Sequence, residues 1–349
     1  PASPGCDTDS DGLTNGQENS LGTNPANPDS DGDGEPDGHL DEGTTDKDGD
    51  GLADALESEI IDADGDGFAN ETDPANSDPC IPNVLSSPCN PRLLVYPRVI
   101  LQGAWKAADG MMHDQLRVKN LLPLANPYNS QNLYGHDGTE ATTADVFTET
   151  GADAIVDWVL VELRSSANPA FVLEKRAALV QRDGDVVDTD GFSPVAFDES
   201  AGSYFIVVRH RNHLGVMSAQ PVALGVNSPL VLDFTNPATQ TWGNHSQVLQ
   251  DGKTMLWAGN TNSNGELIYQ GNANDIDPIF FNVVLAGGNG SFATNFIHAG
   301  YHNADTNLDG DAIFQGATND LDAFLFFNVL LHPANSLTLI TYIVEEQLP

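Results

Sequence analysis

The chain of 349 residues carries 51 acidic side chains against 13 lysines and arginines, which gives a formal net charge of −38. This balance excludes nucleic acid as a partner, because phosphate binding needs a basic face, and it disfavours an anionic membrane surface. No apolar run approaches the ~18 residues that span a bilayer, so we expect no membrane insertion. The length suggests about two or three domains, and a start at Pro1 without Met or a signal-like segment indicates a processed or excised piece.

The acidic residues are concentrated at the start of the chain. Residues 1–78 hold 23 Asp and Glu, a single cation, Lys47, and only eight large apolar side chains. Composition alone predicts disorder, because so little apolar area does not offset the chain entropy. The alternative is that bound cations take the place of a hydrophobic core, and the order of the acids favours this alternative.

Four stretches of this segment share the spacing of a calcium loop. Asp stands at positions 1, 3 and 5, Gly at position 6 and, in three of the four, an acid at position 12. Alternate carboxylates on a tight turn point inward, the glycine supplies a positive φ, and position 7 offers a main-chain carbonyl. The predicted ligands are Asp7, Asp9, Asp11, Leu13 and Glu18 in the first loop, Asp29, Asp31, Asp33 and Asp37 in the second, Asp46, Asp48, Asp50, Leu52, Asp54 and Glu57 in the third, and Asp62, Asp64, Asp66, Phe68 and Asp73 in the fourth.

Calcium (Ca2+) is the predicted cation, because it takes about six to eight oxygen ligands, whereas magnesium keeps more of its water. The second loop departs from the pattern. Its position 12 is Leu40, and the acids Asp41 and Glu42 follow one and two residues later. This site is therefore either closed differently or binds calcium more weakly.

With these loops and the connector Gly22–Asp29, the segment resembles thrombospondin type 3 repeats over residues 5–78. The resemblance implies a rod or stalk wound around calcium. It also implies a place outside cells, where calcium is millimolar.

The three cysteines bear on the compartment. Cys80 and Cys89 bracket a proline-containing loop, and a disulfide between them would clamp a linker over residues 79–91. Cys6 then either pairs with a cysteine upstream or stays free. No C-x-x-C is present, which excludes zinc and thioredoxin-type sites, and a disulfide beside calcium loops predicts an exported protein.

The composition changes at Arg92. β-branched and apolar runs bounded by Gly, Pro, Asn and Asp follow at roughly ten-residue spacing, which indicates a β-sandwich over residues 92–235. The predicted strands are Leu93–Gln102, Ala154–Leu163, Phe171–Gln181, Tyr204–His210 and Leu214–Leu224. The predicted fold class is therefore mainly β, with a sandwich body, an extended calcium-binding stalk and a small calcium-loop module at residues 236–349.

Two segments of the body leave alternatives open. The Asp- and Gly-rich stretch Gln181–Gly191 is either another calcium loop or, as we favour, a plain hairpin. His210 and His213 could form a metal-binding or catalytic pair, but residues three apart on a strand point to opposite faces, so they could share a metal only if the strand ended between them, and structural histidines are favoured. No nucleophile elbow, zinc-binding helix motif, phosphate loop or dinucleotide fingerprint is present, so we predict no enzyme activity.

Several further segments of the body belong together: Leu101–Ala104, Leu121–Leu124, Asn126–Tyr128, Val156–Arg164, Leu179–Gly191 and His210–Met217. With them the body resembles a haemagglutinin- or adhesin-like module of large secreted Bacteroidota surface proteins. The resemblance implies an address outside the cell, reached through type IX secretion, more than it implies an activity.

An internal repeat closes the sequence. Residues 260–277 and 305–322 align without gaps, and each stretch precedes an apolar segment. The second copy is a predicted calcium loop, with the ligands Asp305, Asn307, Asp309, Asp311 and, because position 12 is Gly, Asp320. The first copy has Asn at positions 1, 3 and 5, which attract calcium more weakly, so either Asp275 and Asp277 supply its charge or the site is vacant and held by Asn turns.

These two loops resemble the calcium loops of dockerins, which present a paired surface to a partner. The whole sequence predicts a non-enzymatic, calcium-stabilised extracellular protein of the cell surface, acting as an adhesin or as a subunit of a surface fibre or filament. Its expected partners are other copies in the same assembly, glycans or a target cell surface. The alternative is a carbohydrate-binding accessory region of a larger secreted hydrolase, with a sugar platform formed by Trp105, Trp158, Trp242 and Trp257.

Overall fold

A computed structural model of the chain describes residues 3–81 and 92–349. The chain divides into two units, Pro1–Pro91 and Arg92–Pro349. Strands predominate over helices, so the fold is mainly β, as the sequence predicts. Among the described residues, no helix combines the length and the apolar character that crossing a bilayer requires.

The described part of the first unit, residues 3–81, consists of turns and short helices without strands. Thr14 begins the α-helix through a capping box with Gln17, and Gly22 ends it with a φ of 100°. The helical elements are α1 (Asn15–Leu21) and two 3-10 turns, Asp54–Leu56 and Asn70–Thr72.

The interior of residues 3–81 is acidic rather than apolar. Leu13 and Ala55 are the buried apolar side chains in this part of the structure, whereas eight carboxylates are buried there. The carboxylates are Glu18, Asp37, Glu42, Asp54, Glu57, Asp66, Glu71 and Asp73. Hydrophobic burial therefore contributes little to the folding of this segment, and its stability depends on whatever neutralises these groups.

The second unit is built from seventeen strands, β1 to β17. In chain order they are Leu93–Arg98, Trp105–Lys106, Met111–Met112, Ile155–Ser165, Val172–Gln181, Val186–Val187, Val195–Phe197, Gly202–His210, His213–Met217, Val222–Leu224, Leu230–Asp233, Val248–Gln250, Lys253–Met255, Glu266–Ile268, Ile297–Ala299, Asp311–Ile313 and Ile343–Glu345. The α-helices of this unit are α2 (Gln115–Val118), α3 (Pro127–Ser130), α4 (Ile276–Val284) and α5 (Phe326–Leu330).

Two sheets share the main hydrophobic core. The larger has the strand order β10-β8-β4-β5-β6, with β9 paired to β8, and the smaller has the order β11-β1-β7. Strand β4 is buried along nearly its whole length, which explains why apolar residues occur on both of its faces. Leu93 and Val95 from the small sheet join Trp158 and Ile206 from the large sheet in one buried cluster.

The duplicated region folds as two interlocked copies. Strand β14 of the first copy pairs with β17 at the end of the second, and β16 of the second copy pairs with β15 at the end of the first. Aromatic contacts follow the same exchange, because Tyr269 packs on Phe326 and Phe280 on Phe314, each pair with ring centroids 5.0 Å apart. A second apolar cluster, including Trp257 and Ile279, lies here.

The cysteines are placed only in part. Cys6 is exposed and free, and Cys80 is disulfide-bonded. Its predicted partner Cys89, with residues 82–91 of the predicted linker, lies outside the described residues.

Candidate functional site

Each predicted calcium loop of the first unit is a compact turn held by its own first aspartate. In the third loop, Asp46 Oδ1 accepts the Gly49 N–H at 2.7 Å, and Asp46 Oδ2 accepts the Gly51 N–H at 3.2 Å. The second and fourth loops repeat both bonds around Asp29 and Asp62. Gly51 has a φ of 100°, a conformation that only glycine adopts without strain, so the spacing of aspartate and glycine dictates the turn.

The alternating aspartates of every loop converge. In each loop, carboxylate oxygens at positions 1, 3 and 5 lie within 4.8 Å of one another. The groups are Asp7, Asp9 and Asp11; Asp29, Asp31 and Asp33; Asp46, Asp48 and Asp50; and Asp62, Asp64 and Asp66. Like charges at this separation repel one another, so a cation or bound protons must compensate them.

Several carboxylate oxygens inside the loops are buried without a hydrogen-bond donor in the described chain. Both oxygens of Asp9 and both of Glu18 are in this condition, and Glu18 is 0% exposed. The position-3 residues Asp31, Asp48 and Asp64 each add one such oxygen. Leaving a buried acceptor unsatisfied costs about 1–3 kcal/mol, and more for a charge. An all-oxygen set of this kind fits a hard divalent cation, and calcium better than magnesium.

Acids at position 12 approach three of the loops. Glu18 forms a group within 4.8 Å with Asp11 of its own loop and Asp37 of the second loop. An acid of the second repeat therefore belongs to an acidic cluster of the first. Glu57 keeps one oxygen without a donor in the described chain. Asp73 is buried as well.

The side chain at position 9 accepts a hydrogen bond from the main-chain N–H of position 2 and so stabilises the turn. Asp37 Oδ1 accepts the Ser30 N–H at 2.7 Å, and Asp54 Oδ1 accepts the Lys47 N–H at 2.9 Å. Position 7 is fixed from the other side, since its N–H donates to the position-5 aspartate. This bond is present at Leu13, Leu52 and Phe68, with lengths of 2.7, 2.7 and 2.9 Å.

The second loop is approached by Glu42 and not by its position 12. Leu40 at position 12 is 92% exposed, whereas Glu42 is 3% exposed. Burial raises the pKa of Glu42 to about 7, and the charges of Asp33, Glu71 and Asp31 add to the effect. The Glu42 carboxylate is therefore close enough to Asp31 and Asp33 of the second loop to interact with their charges. The sequence signal for it is the pair of acids that follows Leu40, but spacing alone does not choose between them.

The loops hold more negative charge than the first unit can compensate by itself. Burial, followed by repulsion from neighbouring carboxylates, raises the pKa of Asp31 to about 6 and that of Glu57 to about 7. Lys47 is the only Lys or Arg among residues 1–78, and it is paired with Glu71. Full ionisation of the loops near neutral pH thus requires cations from solvent.

The repeat near the end of the chain forms two loops with matching hydrogen bonds. Asn264 donates its N–H to Asn260 Oδ1 at 3.1 Å, and Asp309 donates its N–H to Asp305 Oδ1 at the same distance. Gly310 donates to Asp305 Oδ2 at 2.8 Å, as the glycines do in the first unit. The turn is therefore common to the neutral and the acidic copy.

Asp320 anchors the second copy. Its Oδ1 accepts the Thr306 N–H at 2.7 Å and its Oδ2 accepts the Ile313 N–H at 2.8 Å. Asp275 accepts the two corresponding bonds in the first copy, both at 2.8 Å. Both oxygens of Asp320, a predicted ligand, are thus already engaged with the main chain of the loop.

The acids of the second copy converge less than those of the first unit. Asp311 forms an ion pair with Lys119 at 2.7 Å. Asp305 is fully buried, and burial raises its pKa to about 7 although Arg211 acts in the opposite direction. Across the described residues, close groups of three acids lie in the first unit, and Asp305, Asp309 and Asp311 do not form one.

His210 and His213 meet, because the strand ends between them and the expected opposite orientation does not apply. Their Nδ1 atoms lie 3.0 Å apart, and His210 Nε2 lies 3.0 Å from Asp157 Oδ2. Arg211 donates to the same Asp157 oxygen at 3.0 Å. All four side chains are fully buried, and burial lowers the pKa of both histidines. The cluster lies inside the core, which it stabilises through these hydrogen bonds, and its side chains are not accessible to a substrate.

The four tryptophans occupy different environments. Trp158 and Trp257 are buried in separate clusters, so they offer no stacking surface. Trp105 donates its indole N–H to Asp251 at 2.8 Å, and Trp242 packs edge-on against Phe205. Trp158 and Trp257 are therefore not available to the sugar platform that the alternative interpretation of the sequence requires.

The geometry of the acidic loops is the main functional evidence in the chain. No protein-family model matches the chain, and no curated protein and no solved structure is significantly similar to it.

Proposed function

We propose that this protein is a non-enzymatic, calcium-stabilised component of the cell surface that acts as an adhesin or as a structural subunit of a surface fibre. Residues 5–78 would form a stalk like thrombospondin type 3 repeats. Residues 92–235 would form a sandwich body, and residues 236–349 a module with dockerin-like calcium loops. Its partners would be other copies in the same assembly or groups on a target surface.

The observation that carries this proposal is the acidic interior of residues 3–81. Eight carboxylates are buried there against two apolar side chains, and oxygens of Asp9 and Glu18 meet no donor in the described chain. The aspartates at positions 1, 3 and 5 and the closing acids would hold the calcium. The bound cations would supply the attraction that an apolar core supplies in other folds.

An extracellular location is the compartment that suits such a segment. Extracellular calcium modules work with dissociation constants of about 10⁻⁴–10⁻³ M, which cytosolic calcium does not saturate. The disulfide at Cys80 supports the same compartment, because disulfides persist in oxidising surroundings.

Limited proteolysis of the full chain, with cleavage sites mapped by mass spectrometry, tests the calcium role. In calcium we expect both units to resist protease. In chelator we expect cleavage within residues 3–81 while residues 92–349 stay intact, because only the first unit lacks an apolar core. Equal resistance in calcium and chelator would contradict the proposal.

A matched pair of variants sharpens this experiment. Glu18→Gln removes one buried carboxylate, whereas Glu59→Gln removes an exposed one with the same change of charge. We expect Glu18→Gln alone to raise the calcium concentration needed for protection. Electron micrographs of the native surface protein then test the surface role, which requires a rod or a fibre and not an isolated globule.

A further inference from the structure

Two adjoining concavities of about 480 and 440 Å³ lie in the second unit. Asp153, Gln181 and Phe192 belong to the walls of both, so the two concavities adjoin along these residues and are together named the Phe192 groove. Each half has the size of a small-ligand pocket, which ranges over ~300–1,000 Å³. We propose that this Phe192 groove binds oligosaccharides of neutral hexoses, with Phe192 as the stacking platform.

Phe192 is a large apolar side chain held in solvent by a rigid turn. It is 73% exposed, yet its backbone is fixed on both sides. Asp190 Oδ1 accepts the N–H groups of Phe192 and Ser193 at 3.0 and 2.9 Å, and the Phe192 carbonyl accepts the Tyr96 hydroxyl at 3.3 Å. A preorganised aromatic group loses little conformational entropy when it binds a ligand, and the hydroxyl-free C–H face of a hexose packs well on an aromatic ring.

The residue before Phe192 shows that the turn is built into the fold. Gly191 has a φ of 86°, and a Cβ atom at this position would come within 2.7 Å of Val146. The Gly191 carbonyl accepts a hydrogen bond from Gln181 Nε2 at 3.0 Å, and Thr142 donates its hydroxyl to the Thr189 carbonyl at 2.6 Å. The platform is therefore fixed to three separate segments of the unit.

The remaining walls carry the groups that recognise sugar hydroxyls. Asp153 and Asp185 with Arg98 line one half, and Asp145 and Glu149 line the other. Carboxylates accept hydrogen bonds from hydroxyl groups, and a guanidinium donates to them. Arg98 is paired with Asp185, so the groove is strongly negative overall and repels sialylated, sulfated or uronic acid sugars.

A metal ion is a poorer occupant of this groove. Across the described residues, groups of three acids with oxygens within 4.8 Å do not include any acid of the groove. Its carboxylates are spread along the walls, whereas those of the calcium loops converge. Spacing along a groove suits a chain of hydroxyl groups better than a single cation.

Binding of the full chain to an array of neutral, amino and acidic oligosaccharides, in saturating calcium, tests the proposal. We expect neutral hexose oligosaccharides to be retained. For the best of them, isothermal titration should show that Phe192→Ala raises the dissociation constant about tenfold or more, since stacking is lost. Phe192→Tyr should keep the affinity. Phe171→Ala removes another exposed phenylalanine, 57% exposed and outside the groove, and should change nothing.

Asp153→Asn gives a second variant, which keeps the size of the side chain and should also weaken binding. Absence of binding to neutral oligosaccharides would overturn the proposal, as would a preference for acidic ones. Equal losses in Phe192→Ala and Phe171→Ala would overturn it as well. The inference adds a ligand class to the proposed surface role. If calcium protects the first unit from protease but no glycan binds, only this inference is contradicted. If glycans bind but calcium gives no protection from protease, only the proposed calcium-stabilised stalk is contradicted.

Discussion

Individual carboxylates of the first unit serve two purposes at once. Asp37 accepts the N–H and the hydroxyl of Ser30 at 2.7 and 2.6 Å, which fastens the second loop. The same carboxylate lies in a close group with Asp11 and Glu18 of the first loop. The first two repeats are therefore linked through one side chain, and calcium binding in one loop should favour order in the other.

The role of Glu42 is open to a direct test. Glu42→Gln keeps the size of the side chain but removes its charge from the second loop, so we expect one calcium site to weaken by about tenfold or to disappear. Isothermal titration of the full chain with calcium measures this. Asp41→Asn changes the charge equally at the adjacent exposed position and should leave the titration unchanged. Equal losses in both variants would show that general charge, and not this carboxylate, matters.

Asp157 is the centre of the buried histidine cluster. Burial alone would raise its pKa, but Arg211, His210 and Tyr301 lower it to about 2. Asp157→Asn removes the carboxylate that is hydrogen-bonded to the buried Arg211 guanidinium, so we expect the second unit to lose about 3–5 kcal/mol of unfolding free energy at neutral pH. Urea unfolding followed by tryptophan fluorescence measures the loss, with Asp137→Asn at an exposed position as the control.

The same residue predicts a dependence on pH. In the unfolded chain the pKa of an aspartate is near 3.9, whereas folded Asp157 titrates at about 2. Its stabilising contribution is thus complete above pH ~4 and is lost as the pH falls toward 2. The Asn variant should lack this component of acid unfolding. An identical acid profile in the variant and the parent would contradict the assignment.

Residue types and spacing predicted the turns of the first unit and the convergence of their acids, because both features depend on local sequence. Asp at alternate positions and Gly at the sixth specify, within a dozen residues, a turn whose carboxylates point toward one another. Glu42 and the contact of His210 with His213 depend on where the chain turns. In the second loop the acid lies two residues beyond position 12, and a strand ends between the two histidines. Neither feature has a clear signature in a single sequence.

At the scale of the element, the duplicated loops separate conformation from charge. Asn260 and Asn264 make the same turn as Asp305 and Asp309. The turn therefore depends on the side-chain oxygens as acceptors, which amides and carboxylates both supply. The affinity for a cation also depends on charge, and only the second copy has carboxylates at positions 1 and 5 of the loop.

This separation predicts that a calcium loop can be completed by two substitutions. The double change Asn260→Asp with Asn264→Asp should raise the calcium affinity of the first copy, because the turn is already formed and only the charge is missing. Calcium titration of the full chain would show one additional site. Asn272→Asp with Asn295→Asp adds the same charge at exposed positions and should add none. An unchanged site number in the first variant would contradict the prediction.

Strands were predictable where apolar runs are long, as in β4 and β8. The predicted strand Leu214–Leu224 is divided into β9 and β10, since Pro221 between them lacks an N–H for the ladder. The interlocked pairing of β14 with β17 was not predictable. These strands have three residues each, and pairing between distant segments leaves no local pattern.

At the scale of the whole molecule, each of the two units is stabilised internally by a different kind of interaction. The first buries carboxylates and the second buries apolar side chains. A ligand that binds only the folded state stabilises it in proportion to the logarithm of its concentration. Calorimetry of the full chain should therefore show a transition of the first unit that moves with calcium, and a transition of the second unit that responds much less.

The pH dependence of the first unit should change sign with calcium. Burial raises the pKa of Glu42 and Glu57 to about 7 from an ordinary 4.5, so the calcium-free folded state binds more protons than the unfolded state between these values. Its stability should fall as the pH rises through this window. In calcium it should rise, because the cation replaces those protons. Calorimetry at pH 5 and pH 7, with calcium and with chelator, checks both signs, and parallel trends would contradict the prediction.

The exchange of strands between the two copies has a consequence for biosynthesis. Glu266–Ile268 pairs with Ile343–Glu345, so this pair can form only after all the residues between the two strands have been synthesised. A chain truncated before Ile343 would leave Glu266–Ile268 without its partner strand, and an unpaired strand edge favours association with other chains.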